Sequence, residues 1–185
     1  MSTALLVIDA QQSFLHRPYF DPKPLPDFLR KTQALIDRAE RAGVPVLQVF
    51  HVENENPANP FSFASGYVKP LSDLRLKATD VFYKSVHSAM FASNAEGQNV
   101  DYWLRTRGVD RLIISGIRTE QCCETTTRHA SDLGYKVSFA VDATLTFPMV
   151  SESGRTFSVD DLRERTALVL SGRFADVTNA EAVNL

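Results

Sequence analysis

The sequence predicts a three-layer α/β/α fold in which helices cover both faces of a doubly wound, six-stranded parallel sheet of order 3-2-1-4-5-6. Three features indicate it: near-continuous apolar strands, helical apolar spacing between them, and long segments that leave strands while short turns enter them. Strands that alternate with helices form parallel sheets with right-handed crossovers. The 185 residues suffice for one core, so we expect a single domain over residues 1–185.

The first predicted strand is the apolar run 4–9, which ends in a carboxylate. Apolar residues at helical spacing predict a helix over 27–42, which glycine and proline terminate. The β-branched run 45–52 is the second strand. Residues 80–84 form a short third strand that delivers a lysine at its end.

The second half of the chain continues the alternation. Val100 and Leu104 indicate a helix that Gly108 ends. The apolar run 111–116 is the fourth strand, and a helix is predicted over 119–133. Residues 136–143 form the fifth strand.

The last elements are recognised mainly by their caps. Ser158 and Asp161 form a capping-box pattern, which predicts the start of a helix. Residues 173–177 are a candidate edge strand. Thr178 and Glu181 repeat the box before a short terminal helix.

Composition excludes several function classes. A net charge of −2 without a basic patch argues against nucleic acid as a partner. No apolar run is long enough for a membrane span, and no signal-peptide pattern precedes the first strand. Two adjacent cysteines cannot crosslink a secreted fold, so we expect a cytoplasmic protein.

The long segments that leave strands place the expected site at the carboxyl edge of the sheet, where ligands bind in open α/β folds. Asp9, Lys84 and Cys122 all fall at this edge. Cys122 lies in the first turn of a predicted helix, where the helix dipole favours a thiolate near neutral pH. Asp9 can act as the base for this thiol if Lys84 balances its charge, and a nucleophilic sulfur could then attack a carbonyl. Cys123 falls on the core face of the helix, so we assign it to packing.

Three motifs resemble those of the isochorismatase-like cysteine hydrolases. The segment GIRTEQC, which ends at Cys122, resembles the family signature G-x-x-T-x-x-C, while LLVIDAQQSF and YKSVHSAMF resemble the segments around the family's catalytic Asp and Lys. The resemblance implies Asp9 as general base, Lys84 as charge partner and Cys122 as nucleophile that forms a thioester-type intermediate. It also implies a cis peptide between Ile117 and Arg118, which would direct the N–H groups of Arg118 and Cys122 at the oxyanion. Relatives usually assemble into dimers or larger rings, so a homo-oligomer is expected.

The positions at which this chain departs from the family restrict the class of reaction that it is expected to catalyse. Nicotinamidases of the family bind a metal through an Asp and several histidines after the second strand, but this chain has only His51 there. We therefore predict no metal and no other cofactor, and a substrate other than nicotinamide. Members that hydrolyse isochorismate lack the cysteine, so Cys122 favours cleavage of an amide, ureido or carbamoyl C–N bond. Arg118 stands where the family has a small or apolar residue, and could meet an anionic substrate or a neighbouring subunit.

Aromatic and histidine residues of the strand-exit segments are expected to line a small, water-poor pocket, which suits a compact amide and so a small-molecule substrate. Three alternatives stay open: vinyl-ether or imide hydrolysis on the same fold, a redox or sensor protein that uses Cys122, and a ligand-binding module without chemistry. The expected pocket residues are Phe14, His51, Phe61, His87, Phe91 and Phe147.

Overall fold

Six parallel strands form the central sheet of the computed structural model, in which residues 2–185 are described. Its order is β3-β2-β1-β4-β5-β8, and a separate antiparallel pair consists of β6 and β7. Since β6 and β7 lie outside the sheet, β8 is its sixth strand, and the predicted order is confirmed. The strands are β1 (Ser2–Ile8), β2 (Val46–His51), β3 (Asp80–Lys84), β4 (Val109–Ile117), β5 (Lys136–Leu145), β6 (Met149–Val150), β7 (Thr156–Phe157) and β8 (Asp176–Thr178).

Helices cover both faces of the sheet, as predicted. Along β1, Leu5 and Val7 face the core that includes α1, whereas Leu6 and Ile8 face the core that includes the other three helices. This alternation of fully buried residues explains why β1 is apolar throughout. None of the helices formed by residues 2–185 is long and apolar enough to cross a membrane. The helices are α1 (Leu25–Arg41), α2 (Val100–Thr106), α3 (Glu124–Asp132) and α4 (Val159–Leu170).

Two helix predictions require correction. The segment 119–133 is helical from Thr119 to Asp132, but it is not α-helical throughout, because its first turn, Thr119–Cys123, is π-helical and continues directly into α3. The terminal helix is a single 3-10 turn, Ala180–Ala182, and no side chain caps it. Thr178 cannot cap this turn because it lies in β8 opposite Ala140. The capping box before α4 is present as predicted.

The order in which the strands are added to the sheet reverses at β1, which pairs with β2 on one side and with β4 on the other. The two central strands approach very closely where Gly116 lies opposite Ile8. Gly116 has a φ of 134°, and a Cβ at this position would be 1.9 Å from the Ile8 carbonyl oxygen. Only glycine fits there, and this contact sets the spacing between the ends of β1 and β4.

Candidate active site

Asp9, Lys84 and Cys122 meet at the carboxyl edge of the sheet. Lys84 Nζ donates to Asp9 Oδ2 over 2.8 Å and lies 3.5 Å from Cys122 Sγ. The side chains of Asp9 and Lys84 are completely buried, and Cys122 is 8% exposed. The structure therefore brings the three side chains into one cluster, in which the ammonium contacts both the carboxylate and the sulfur.

The backbone fixes the position of the Asp9 carboxylate. Asp9 follows β1 with a φ of 51°, in the left-handed region that Asp tolerates better than most residues. Its N–H donates to the Val49 carbonyl over 2.8 Å, which ties the residue to β2. Its Oδ1 is buried and has no hydrogen-bond partner among residues 2–185. One carboxylate oxygen can thus accept a proton.

Cys122 lies in the turn between β4 and α3. The Ile117–Arg118 peptide bond at the start of this turn is cis, as the resemblance implies. Thr119 Oγ1 donates to Thr144 Oγ1 over 2.8 Å and holds the turn against β5. Cys123 is completely buried in the core, whereas Cys122 borders a cavity.

The surroundings keep the Cys122 thiol protonated. Burial raises the pKa of Cys122 to about 12, the Asp9 carboxylate adds to this increase, and the Lys84 ammonium opposes it. Burial acts to lower the pKa of Lys84, but Asp9 and Cys122 outweigh it, so that pKa lies above its ordinary value. At neutral pH the cluster therefore contains an ammonium and a thiol. The thiolate expected from the start of a helix does not form by itself, because burial dominates.

His51 supplies the third acceptor for the Lys84 ammonium. Its Nδ1 lies 3.3 Å from Lys84 Nζ, and its Nε2 lies 3.0 Å from Glu53 Oε1. Burial and the Lys84 charge lower the pKa of His51, so the ring is neutral at pH 7. An ammonium only donates, which assigns Nδ1 as acceptor and places the ring proton on Nε2, toward Glu53. Lys84 thus has acceptors for all three of its N–H groups: Asp9, Cys122 and His51.

A cavity of about 270 Å³ opens onto the sulfur and the carboxylate. Its small volume limits the ligand to a compact molecule. Of the residues expected from the sequence, those that line it are Asp9, Phe14, His51, Phe61, His87, Arg118 and Cys122. The remaining lining residues are Arg17, Tyr19, Glu53 and Gln121.

Two of the expected pocket residues lie outside the cavity lining. Phe147 is completely buried, and its ring packs 6.3 Å from that of Phe14, which lines the cavity. Phe91 is 64% exposed in a 3-10 turn and packs against the His129 ring at 4.7 Å. Both follow strands, but Phe147 turns inward to the core and Phe91 turns outward to the surface.

Arg17 and Glu53 were not among the expected pocket residues, nor was Gln121 of the turn that carries Cys122, whereas Tyr19 is one of the strand-exit aromatic residues expected to supply the lining. Arg17 and Tyr19 come from the segment after β1 that also supplies Phe14, and Glu53 comes from the segment after β2. The signal for them is their location in long strand-exit segments. Residue type does not separate them from surface residues, because Arg and Glu are usually solvated.

The residues after β2 do not form a metal site. Among residues 2–185, no group of three or more His, Cys, Asp and Glu side chains is arranged to hold a metal ion. Both ring nitrogens of His51 are already in contact with other groups, Lys84 and Glu53. This donor set does not fit a metal bound as in nicotinamidases.

Comparisons with known proteins agree with the fold. Nicotinamidase 3 from Arabidopsis thaliana is 28% identical over 192 residues, which cover 96% of this chain and 85% of that protein. A cysteine hydrolase from Pseudomonas syringae pv. phaseolicola 1448A superposes with a TM-score of 0.81 at 23% identity, and the match covers 97% of this chain and 89% of that one. N-carbamoylsarcosine amidase from Thermoplasma acidophilum superposes with a TM-score of 0.71 at 21% identity, and both chains are covered completely.

The family assignment comes from the sequence of nearly the whole chain. The Isochorismatase domain model matches residues 3–179, a range that includes all six strands of the sheet except the first residue of β1, and the cluster of Asp9, Lys84 and Cys122. The matched range, the strand order and the similar structures all point to one assignment. The chain belongs to the isochorismatase family of hydrolases.

Proposed function

We propose that this hydrolase cleaves the C–N bond of a small amide, ureido or carbamoyl compound with Cys122 as nucleophile. The observation that carries the proposal is the single buried ammonium, Lys84, that contacts both the Asp9 carboxylate and the Cys122 sulfur. The names of two similar proteins, a nicotinamidase and an N-carbamoylsarcosine amidase, support amide chemistry.

The first half of the reaction forms a bond to sulfur. Asp9 takes the Cys122 proton as the sulfur attacks the substrate carbonyl carbon, since a thiol whose pKa is raised to about 12 needs a base. The carbonyl π electrons move to oxygen, and the N–H groups of Arg118 and Cys122 stabilise this oxyanion. The oxyanion then collapses, the C–N bond breaks, and Asp9 returns its proton to the leaving nitrogen.

The second half consumes water. Asp9 takes a proton from a water molecule that attacks the thioester carbon, the C–S bond breaks, and the proton restores the Cys122 thiol. Lys84 keeps its proton throughout and stabilises the negative charge on Asp9 and on the sulfur. His51 holds the ammonium in place through its neutral Nδ1.

An ammonia-release screen over small amides, ureas and carbamoyl compounds tests the proposal. Cys122→Ala should lower kcat/KM at least about 1000-fold, because it removes the nucleophile. Cys123→Ala is the matched control and should retain most of the activity, since Cys123 lies in the core. A covalent adduct on Cys122, detected by mass spectrometry of the intact protein, would support the thioester step.

Other results would point to another function. Equal activity of wild type and Cys122→Ala would contradict the nucleophile assignment. Peroxide reduction that survives Lys84→Ala would favour the redox interpretation. Hydrolysis without nitrogen release, seen in the product analysis, would favour a vinyl ether as substrate.

A further inference from the structure

We propose that the substrate carries a carboxylate and that Arg17 binds this group in the cavity next to Cys122. The inference rests on the proposed function, because it names the class of substrate that the Cys122 site would hydrolyse. It concerns recognition and leaves the chemical steps unchanged.

Arg17 is a cavity residue whose guanidinium lacks a hydrogen-bond partner. Its central carbon lies 5.5 Å from the Tyr19 ring centre and 5.6 Å from that of Phe61. Its Nε is buried, and no ion pair or hydrogen bond joins the side chain to any group among residues 2–185. The two rings hold the guanidinium beside the cavity without using its donors.

A guanidinium held by aromatic rings is well prepared to bind a carboxylate. The rings offer their electron-rich faces but no strong acceptor, so the in-plane N–H groups remain available. Two parallel N–H groups match the two oxygens of a carboxylate, and the charges strengthen both hydrogen bonds. Because the rings restrict the side chain, less conformational entropy is lost when the ligand binds.

Every other charged side chain that lines the cavity already has a partner. Asp9 is paired with Lys84 at 2.8 Å. Arg118 lies over the same Tyr19 ring, but its Nη2 is 3.0 Å from Glu120 Oε1.

Glu53 is satisfied as well, because one of its oxygens contacts His51 at 3.0 Å and the other accepts from Asn59 at 2.5 Å. The positive charge of Arg17 helps to lower the pKa of Glu53, but no hydrogen bond or ion pair joins the two side chains. The N–H groups of Arg17 are therefore available to an anion.

Matched substrate pairs test the proposal. The pairs are succinamate with pentanamide, and N-carbamoylglycine with N-propylurea, in which only one member carries a carboxylate. Ammonia release by the wild-type protein should show kcat/KM at least about tenfold higher for the anionic member of a pair. Arg17→Met, which keeps an apolar stem between the rings, should raise KM for the anion about 10- to 100-fold, as expected for one charge-assisted pair of hydrogen bonds. Its kcat, and both constants for the neutral member, should stay within about threefold of wild type.

Two further variants make the result specific. Arg17→Lys keeps the charge but not the two parallel donors, so its KM should lie between those of wild type and Arg17→Met. Arg30→Met removes an exposed arginine of α1 whose partner is Asp27. This control should leave kcat and KM unchanged for both substrates of each pair. If Arg17→Met lowers kcat/KM equally for the anionic and the neutral substrate, Arg17 only shapes the cavity, and the proposal is overturned.

Calorimetry with Cys122→Ala separates this proposal from the proposed function. Binding of the carboxylates that depends on Arg17, without hydrolysis by wild type, would support the anion site and contradict the hydrolase. Hydrolysis of both members at equal kcat/KM would support the hydrolase and contradict the anion site. Neither binding nor hydrolysis of any carboxylate would also overturn the anion site.

Discussion

The Cys122 thiol is held in its protonated form although it lies just before a helix. Burial is the largest cause, and the Asp9 carboxylate adds to it, while Lys84 acts in the opposite direction. In the proposed mechanism the nucleophile is therefore generated during the reaction, when a base removes its proton, and is not stored as a thiolate. A protonated thiol also resists oxidation, because the thiolate is the reactive form.

Alkylation of Cys122 by iodoacetamide should respond in opposite directions to changes at its two charged neighbours. Asp9→Asn removes the negative charge and leaves Lys84, so the pKa of Cys122 should fall and alkylation at pH 7.5 should become at least about tenfold faster. Lys84→Met removes the positive charge and should slow alkylation about tenfold. Both variants should lose amide hydrolysis, because each lacks part of the proposed machinery.

Peptide mass spectrometry would assign the label to Cys122, and Cys122→Ala provides the blank. Asn is the appropriate replacement for Asp9, since it also tolerates the left-handed conformation. Slower alkylation of Asp9→Asn than of wild type would show that the carboxylate does not oppose ionisation of the thiol.

The sequence predicted that the proposed reacting residues lie together, but it predicted only part of the cavity lining. Asp9 and Lys84 stand at strand ends, and parallel strands bring their carboxyl ends to one edge. Arg17 and Glu53 reach the cavity through segments without periodic structure, in which the path of the chain depends on tertiary contacts. Phe91 and Phe147 show the same limit, since two similar side chains in such segments point in opposite directions.

At the scale of elements, the contact between β1 and β4 determines how close Asp9 and Cys122 can come. Gly116 makes this contact possible, because its missing Cβ leaves room for the Ile8 carbonyl. The glycine was visible in the sequence as part of the family motif and as the last residue of the predicted fourth strand. Its role in strand spacing depends on the register of two strands that are distant in the chain, and becomes apparent only in the structure.

Gly116→Ala should destabilise the fold by more than about 4 kcal/mol or prevent folding, because the new Cβ would overlap a backbone oxygen that cannot move aside. Gly108→Ala is the matched control, since Gly108 also has a positive φ, of 66°, but nothing lies within 4 Å of its Cβ position. Gly108→Ala should lower the free energy of unfolding by only about 1–2 kcal/mol, the penalty for a side chain in this backbone conformation. Urea denaturation measures both values, and similar costs for the two variants would contradict the close-contact argument.

The helix after β4 shows which features local sequence periodicity can predict and which it cannot. The apolar and small residues of segment 119–133 fit a helical period, and α3 is present as predicted over its second part. The first turn widens into a π-helical turn, in which the side chain of Thr119 is bound to Thr144 of β5. A contact with a neighbouring strand overrides the local period, and it does so in the turn that presents Cys122.

At the scale of the whole molecule, the cluster of Asp9, Lys84 and Cys122 buries ionisable groups at the carboxyl edge of the sheet, and this burial makes the stability of the fold depend on pH. Cys122 and Cys123 both have raised pKa values, chiefly because of burial. A group whose pKa is higher in the folded state contributes stability below its unfolded pKa, and that stability is lost as pH rises toward its folded pKa. For Cys122 this interval extends from its ordinary value of 9.0 to about 12.

The free energy of unfolding of the wild type should therefore fall as pH rises from 9 to 10.5, and it should fall less steeply in Cys122→Ala. In this range the unfolded chain releases the Cys122 proton while the folded protein retains it, so the residue contributes a slope of up to about −1.4 kcal/mol per pH unit. Urea denaturation at a series of pH values, with reductant present, measures the slope. Cys123→Ala should also reduce the slope, because that thiol is completely buried. Parallel curves for wild type and Cys122→Ala would mean that the folded protein ionises Cys122 as readily as the unfolded chain, which would contradict the protonated-thiol assignment on which the role of Asp9 as base depends.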